Sequence, residues 1–441
     1  MRASTEAGSW LPGLQTLRSY RRSWLPRDLV AGIVLTALLV PAGMGYAEAS
    51  GLPAIYGLYA TIVPLVVYAL VGPSRILVLG PDSSLAPLIA AAILPLAAGS
   101  EAEAVALAGM LAILSGLLCV VAGLARFGFI ADLLSKPVRF GYMNGIALTV
   151  LLSQLPKLLG FSVDAEGVIP EARAIVRGVA DGETNRAALV IGVACLAVIF
   201  GFKRWRPKIP GVLVAVVGAT AAVGVFGLAE RYGLSVVGPL SKGLPSFRLP
   251  SVPAGDYGAL VAGAIGIALV SFADTSVLSR TFAIRGGYRV NPNQELVALG
   301  AANVAAGLFQ GFSVSSSSSR TPVAEAAGAR TQLTGLVGAL AIALMLLFFP
   351  NLVRNLPNAA LAAVVISAAI GLIEAKGVRK LYRVHKTEFA LSIVCFLGVA
   401  VLGVIEGIFI AIALSMLDFI RRAWRPYDAV LGRVDEVKGY H

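Results

Sequence analysis

The chain has 441 residues, 57% of them hydrophobic and only 14% charged, with a mean hydropathy of +0.83, whereas an ordinary soluble chain carries about 25% charge. A large soluble domain is thereby excluded, and because one bilayer crossing takes roughly 20 apolar residues, a chain of this length can cross many times. The net charge of +12 would suggest nucleic acid as the partner of a soluble protein; in a membrane protein it reads as positive-inside topology, and no nucleic-acid partner is expected.

In chain order, a basic N-terminal segment over 1–28 leads into apolar stretches near 29–46, 54–72, 105–124, 138–156, 187–202, 211–229, 257–278, 294–312, 332–349, 359–373, 387–403 and 405–420, each bounded by Gly, Pro or charge. These predict helices. Two segments are of another kind: 80–98 opens with Gly80-Pro81-Asp82-Ser83-Ser84, and 318–329 is short and led by serine. Both predict half-helices with polar N-termini, which lipid tolerates only where they face protein or a cavity. The stretch from Gly160 to Arg186 carries mixed charge around Pro170 and predicts a short interfacial helix.

Counting the half-helices as crossings puts both termini on one side. That side holds 27 of the Lys and Arg residues and the opposite side 8, with Arg320 left inside the membrane. Both termini are therefore expected in the cytoplasm, in a multi-pass protein integral to the plasma (inner) membrane. Pro81 and Ser317 are separated by nearly the same stretch of chain as Pro41 and Asp274, so the two broken segments belong to a repeat. Seven crossings per unit is an odd number, so the second unit is inverted. The expected fold is an all-α polytopic membrane protein of fourteen transmembrane segments in two inverted seven-helix repeats, with half-helices meeting near the midplane as in transporters.

Two helix N-termini aimed at each other offer free N–H groups and about half a positive charge each, which suits an anion. Ser83 and Ser84 stand at one, and Ser318, Ser319 and Arg320 at the other. An arginine at a helix N-terminus opposes the dipole unless an anion or a carboxylate joins it, and Asp274 or Glu325 are the candidate permanent partners. Asp274 lies in an otherwise apolar span, where desolvation favours the protonated acid and a nearby guanidinium favours the carboxylate. It is a candidate coupling group for a proton, with Thr275 a less favoured ligand for sodium. Glu48, closing the first span, is a second coupling candidate or a solvated end. Asp82 reads as a dipole partner of its own helix start.

Other features read as structural. Asp132, Lys136 and Arg139 flank a cytoplasmic turn, and Glu295 belongs to the helix start after Asn291-Pro292. Cys119, Cys195 and Cys395 are scattered through apolar runs, and the two histidines, His385 and His441, make no zinc centre. No metal, cofactor or catalytic residue is expected.

The segment Pro41-Ala42-Gly43-Met44-Gly45-Tyr46-Ala47, with Gly51-Leu52-Pro53 and Tyr56-Gly57-Leu58-Tyr59-Ala60, resembles the first two helices of the SulP, or solute carrier 26, anion transporter family. Ser74-Arg75 with Gly80-Pro81, Asn291-Pro292-Asn293-Gln294-Glu295, and Ser317-Ser318-Ser319-Arg320 resemble its third, ninth and tenth helices. The resemblance implies a core domain (29–124 and 254–349), a gate domain (125–229 and 350–420), a homodimer, and a cytoplasmic STAS domain after the last helix. Val430 to Val434 resembles the lead-in to that domain, so 421–441 is expected to be a linker towards it. The resemblance also implies that Ser319 and Arg320 contact the anion while Tyr46 and Asp82 line the pocket. Three positions depart from the family's pattern: Ala42 stands for Gln, Asp82 for a small or apolar residue, and Asp274 for Glu.

The function expected is a secondary active transporter of small anions, of the dicarboxylate, sulfate or bicarbonate class, working by proton symport and alternating access in the lipid bilayer. An anion channel or voltage-responsive membrane protein, or a nucleobase–proton symporter of the same fold, are the alternatives. No nucleophile with a histidine partner points to an enzyme.

Overall fold

The computed structural model describes residues 12–129, 136–163, 165, 167–206 and 209–424. Asp132, most of the expected linker with Val430 to Val434 and His441, and the first residues of the N-terminal segment lie outside the described residues.

The first half of the chain forms helices α1 (Leu25–Ala49) and α2 (Ala54–Val71), strand β1 (Leu79–Gly80), then helices α3 (Ala86–Ala97), α4 (Glu101–Leu124), α5 (Lys136–Leu159), α6 (Arg186–Trp205) and α7 (Gly211–Phe226). The second half forms α8 (Tyr257–Arg285), α9 (Pro292–Leu308), strand β2 (Ser315–Ser316), α10 (Arg320–Ala326), α11 (Leu333–Phe348), α12 (Asn358–Leu372), α13 (Lys386–Leu397) and α14 (Val404–Trp424). Each predicted apolar stretch holds a helix. The expected interfacial helix is Val168–Ala180, and a second amphipathic helix, Ala375–Val384, precedes α13.

Local chemistry sets many of these boundaries. Ser100 accepts from the Glu103 N–H to start α4, with Glu101 and Glu103 in the first turn. Asn185 accepts from Ala187 and Ala188 at the start of α6, and Asn291 accepts from Asn293 ahead of Pro292 in α9. Among the described residues, six helices are long and apolar enough to cross a membrane, and α3, α7 and α11 are shorter apolar helices. The protein is a polytopic, predominantly helical membrane protein.

Two contacts tie distant parts of the chain together. Helices α4 and α9 approach backbone to backbone: a Cβ on Gly116 would stand 2.6 Å from the Gly300 carbonyl oxygen, and one on Gly300 would stand 2.5 Å from that of Gly116. Such small-residue seams let helices gain van der Waals contact where apolar side chains gain nothing over lipid. At the other tie, Asp28 in the first turn of α1 is fully buried. Its carboxylate accepts from the Arg330 N–H at 2.6 Å, from the Thr331 N–H at 3.2 Å and Thr331 hydroxyl at 2.7 Å, and from the Thr334 hydroxyl at 3.2 Å. It thereby caps the entrance to α11 from the start of α1.

Asp28→Ala leaves those donors unpaired in the interior. We expect it to destabilise the protein by about 2–3 kcal/mol, read as a lowered midpoint of unfolding in detergent.

Candidate functional site

The two breaks in the helical chain meet each other. Leu79 pairs antiparallel with Ser316 and Gly80 with Ser315, and the Ser317 N–H donates to the Val78 carbonyl at 3.0 Å. Peptide groups freed from helix inside an apolar body need partners, and polar side chains of the surrounding helices supply the rest. Asn303 of α9 brackets Val314, its Nδ2 donating to the carbonyl at 3.1 Å and its Oδ1 accepting from the N–H at 2.8 Å. Thr275 of α8 accepts from the Ser316 N–H at 3.3 Å. Gln332 donates to the Ser74 and Leu77 carbonyls at 2.9 and 2.8 Å.

This crossing positions Arg320, the first residue of α10. Its side chain is 2% exposed, Nη2 donates to the Pro81 carbonyl, and Nε and Nη1 have no hydrogen-bond partner. Gly80 makes room for it, since a Cβ there would stand 3.1 Å from Nη1. Tyr46 of α1 is buried, and its hydroxyl lies against Ser83 within the influence of Asp82 and Arg320. Arg320 takes neither carboxylate expected for it. Glu325 pairs with Arg285 at 3.2 Å on the surface, and Asp274 pairs with Arg139 at 2.9 Å.

The half-helices themselves are shorter than the sequence suggests. Helix α3 starts at Ala86, and residues 82–85 form a turn closed by the Leu85 and Ala86 N–H groups on the Asp82 carbonyl, both at 3.2 Å. Asp82 spends its carboxylate locally, accepting from the Ser84 N–H at 3.1 Å and hydroxyl at 2.8 Å. Ser83 and Ser84 are buried in that turn, so they do not head a helix. Ser318 and Ser319 are exposed, and Ser317, whose hydroxyl accepts from the Arg320 N–H at 3.2 Å, does the capping.

Asp274, buried on α8, accepts from Arg139 on one oxygen and from the Ser84 hydroxyl at 3.2 Å on the other. Ser84 thus joins Asp274 to Asp82. Arg139, expected at a cytoplasmic turn, lies within the first turn of α5 and pairs with Asp274, and Tyr142 one turn later buries its hydroxyl beside that ion pair. The signal available was a lone arginine just inside an apolar helix after Pro137. Glu48 stands apart from this group. Its backbone carbonyl accepts from Lys157 at 2.9 Å, and it lines a separate cleft of about 290 Å³ with Pro53 and Asn358. Glu295 was read as part of a helix start; it is fully buried there and accepts from the Tyr68 hydroxyl.

With that geometry in view, comparison with known proteins is direct. The model of the sulfate permease family matches residues 25–395. A protein of Mycobacterium tuberculosis (strain ATCC 25618 / H37Rv), named "Probable sulfate transporter Rv1739c", is 42% identical over 437 residues, spanning 99% of this chain and 77% of that protein. Among solved structures, that titled "The overall structure of SLC26A9" superposes with a TM-score of 0.88 at 26% identity, covering 98% of this chain and 71% of that one. The transmembrane domain of a cyanobacterium bicarbonate transporter, BicA, shares the fold with a TM-score of 0.76 at 23% identity, covering 90% of this chain and 98% of that one.

The exposures predict a labelling pattern. Cys119, Cys195 and Cys395 are buried, so background reaction with a water-soluble maleimide should be low. Ser318→Cys should react on the order of tenfold faster or more than Ser84→Cys, because thiol reactivity follows access; mass spectrometry of the labelled protein measures this.

Proposed function

Because this chain belongs to the sulfate permease family, we propose that it is a secondary active transporter of small anions, of the dicarboxylate, sulfate or bicarbonate class, coupled to protons. The observation that carries this reading is Arg320: a buried guanidinium that, among the described residues, has Nε and Nη1 unpartnered and no ion pair with a carboxylate. A buried cation without its own anion is costly unless one visits. The planar fork suits an oxyanion, and Tyr46, Ser83, Ser318 and Ser319 stand ready as hydroxyl donors. Relatives named as sulfate transporters support sulfate as the first substrate to try.

Charge arithmetic supports proton symport. Around the site stand two cations, Arg320 and Arg139, and two carboxylates, Asp82 and Asp274. An incoming anion makes this group net negative in a poorly solvated place. A proton on Asp274 offsets one unit of that charge, the whole of it for a monoanion such as bicarbonate and half of it for sulfate or a dicarboxylate, and because Ser84 links Asp274 to Asp82 next to the anion pocket, proton and anion favour each other's binding. The coupling acid does not pair with Arg320. Protonation would instead part Asp274 from Arg139, and since α5 and α8 otherwise pack little against each other, that ion pair is a natural point of release when one group of helices moves against the other. Glu48, beside Lys157, is the alternative coupling acid.

The same reading includes two inverted seven-segment units, supported by the recurring order of helix, helix, strand, short helix. It also includes both termini in the cytoplasm, supported by the asymmetric distribution of Lys and Arg, and a homodimer in the inner membrane, which rests on the family resemblance alone.

Two measurements in proteoliposomes test it. Uptake of radiolabelled sulfate by Arg320→Ala should show an apparent KM raised about tenfold to a hundredfold, the loss of a charge-assisted bond; wild-type KM in a well-folded variant overturns the assignment. Arg320→Lys is no neutral control, since the fork is lost. For coupling, wild-type uptake should quicken as external pH falls, while Asp274→Asn should keep exchange of internal for external anion and lose accumulation driven by a pH gradient. Accumulation as steep as wild type would move the coupling role to Glu48.

A further inference from the structure

The amphipathic helix Ala375–Val384 precedes α13 and supplies no residue to the anion site described above. It seats itself by Leu381, which is buried, and by Gly377, where a Cβ would stand 2.6 Å from the Phe140 ring. Between this helix, α5 and α13 runs an apolar groove of about 570 Å³. Leu148 and Leu151 of α5 and Phe396 of α13 line its depth, and Arg379 and Tyr382 line its mouth. The polar side chain of Asn144 on its wall is already satisfied, donating to Phe140 and accepting from the Glu374 N–H at 3.0 Å.

The segment beside the groove is strongly basic, with Arg379 the cation that lines the groove itself. Residues 374–388 carry Lys376, Arg379, Lys380, Arg383 and Lys386 against Glu374 and Glu388. All five cations are exposed, and Arg379 makes no ion pair among the described residues. Tyr382 and Val384, also exposed, add apolar surface beside them. A groove that offers hydrocarbon contact within and one cation in its lining, with four more exposed on the adjoining segment, matches one molecule in a bilayer, a lipid with a negative headgroup. We propose that this groove is a binding site for an anionic glycerophospholipid, its acyl chain between α5 and α13 and its phosphate on Arg379 and Lys380.

The site is separable from bulk attraction to a charged membrane. The purified full chain in detergent is titrated with phosphatidylglycerol, phosphatidylcholine or inorganic phosphate, and bound lipid is counted by native mass spectrometry alongside the unfolding temperature. Wild type should retain phosphatidylglycerol and be stabilised by it, with little response to the other two. The double variant Arg379→Glu, Lys380→Glu should weaken retention about tenfold or more, since each cation near a headgroup is worth roughly fivefold. Lys203→Glu, Arg204→Glu at the end of α6, which removes as much charge elsewhere, should leave it unchanged. Ser392→Trp, placed on the groove wall, should reduce retention with every cation intact. Equal response to phosphatidylcholine or to phosphate, equal loss in the α6 variant, or full retention in folded Ser392→Trp would each overturn the proposal.

Discussion

Two stretches of this chain give up helix inside an apolar body, and every peptide group they release has to be satisfied by the protein itself. The solution is reciprocal. Each stretch becomes the other's strand partner, Leu79 to Ser316 and Gly80 to Ser315, and Asn303, Thr275, Gln332 and Thr321 bond further peptide groups of the two stretches. An unsatisfied amide in such surroundings costs roughly several kcal/mol, so the crossing has little freedom to drift. Segments more than two hundred residues apart along the chain are thereby held in register, and with them the Pro81 carbonyl and the Arg320 guanidinium.

That rigidity explains why buried Arg320 and half-buried Arg139 behave differently. Arg139 approaches from α5 and meets a full carboxylate on Asp274. Arg320 is brought in by the crossing itself, where its side chain donates to a carbonyl, and among the described residues two of its nitrogens have no hydrogen-bond partner. A carbonyl orients a guanidinium without neutralising it. Asp82, near enough to be felt, is turned back onto Ser84, so it tempers the positive field without closing the site. The arrangement sets one guanidinium held by a carbonyl beside one ion pair.

The helices around this centre divide by the way they pack. Glycines at 116 and 300 bring α4 and α9 into backbone contact, a junction with no side-chain slack, and Asp28 fastens α1 to the start of α11. Helix α5 belongs to another neighbourhood, packed on α12 and α13, and it reaches the crossing through Arg139. The basic groove sits on that second neighbourhood, between α5 and α13.

Much of this was legible from local chemistry. Apolar stretches long enough to cross, ended by Gly, Pro, Ser or Asn, became helices because helix formation and capping are decided within a few residues. The breaks at Gly80-Pro81 and at the serine run were visible for the same reason, and so was Arg320 as a charge where lipid allows none without purpose. What the sequence did not decide is which partner each polar group takes. A helix turns about 100° per residue, so whether Arg139 faces solvent or Asp274, whether Glu295 caps a helix start or buries against Tyr68, and whether Gly116 meets another glycine depend on how helices distant in sequence rotate and dock. The serines at both breaks are legible in the sequence as hydroxyls, but the burial of Ser83 and Ser84 in a turn, with Ser318 and Ser319 exposed, came from the pairing of the strands. Local rules ended at the helix caps; long-range packing chose which charges are neutralised and left one of them free.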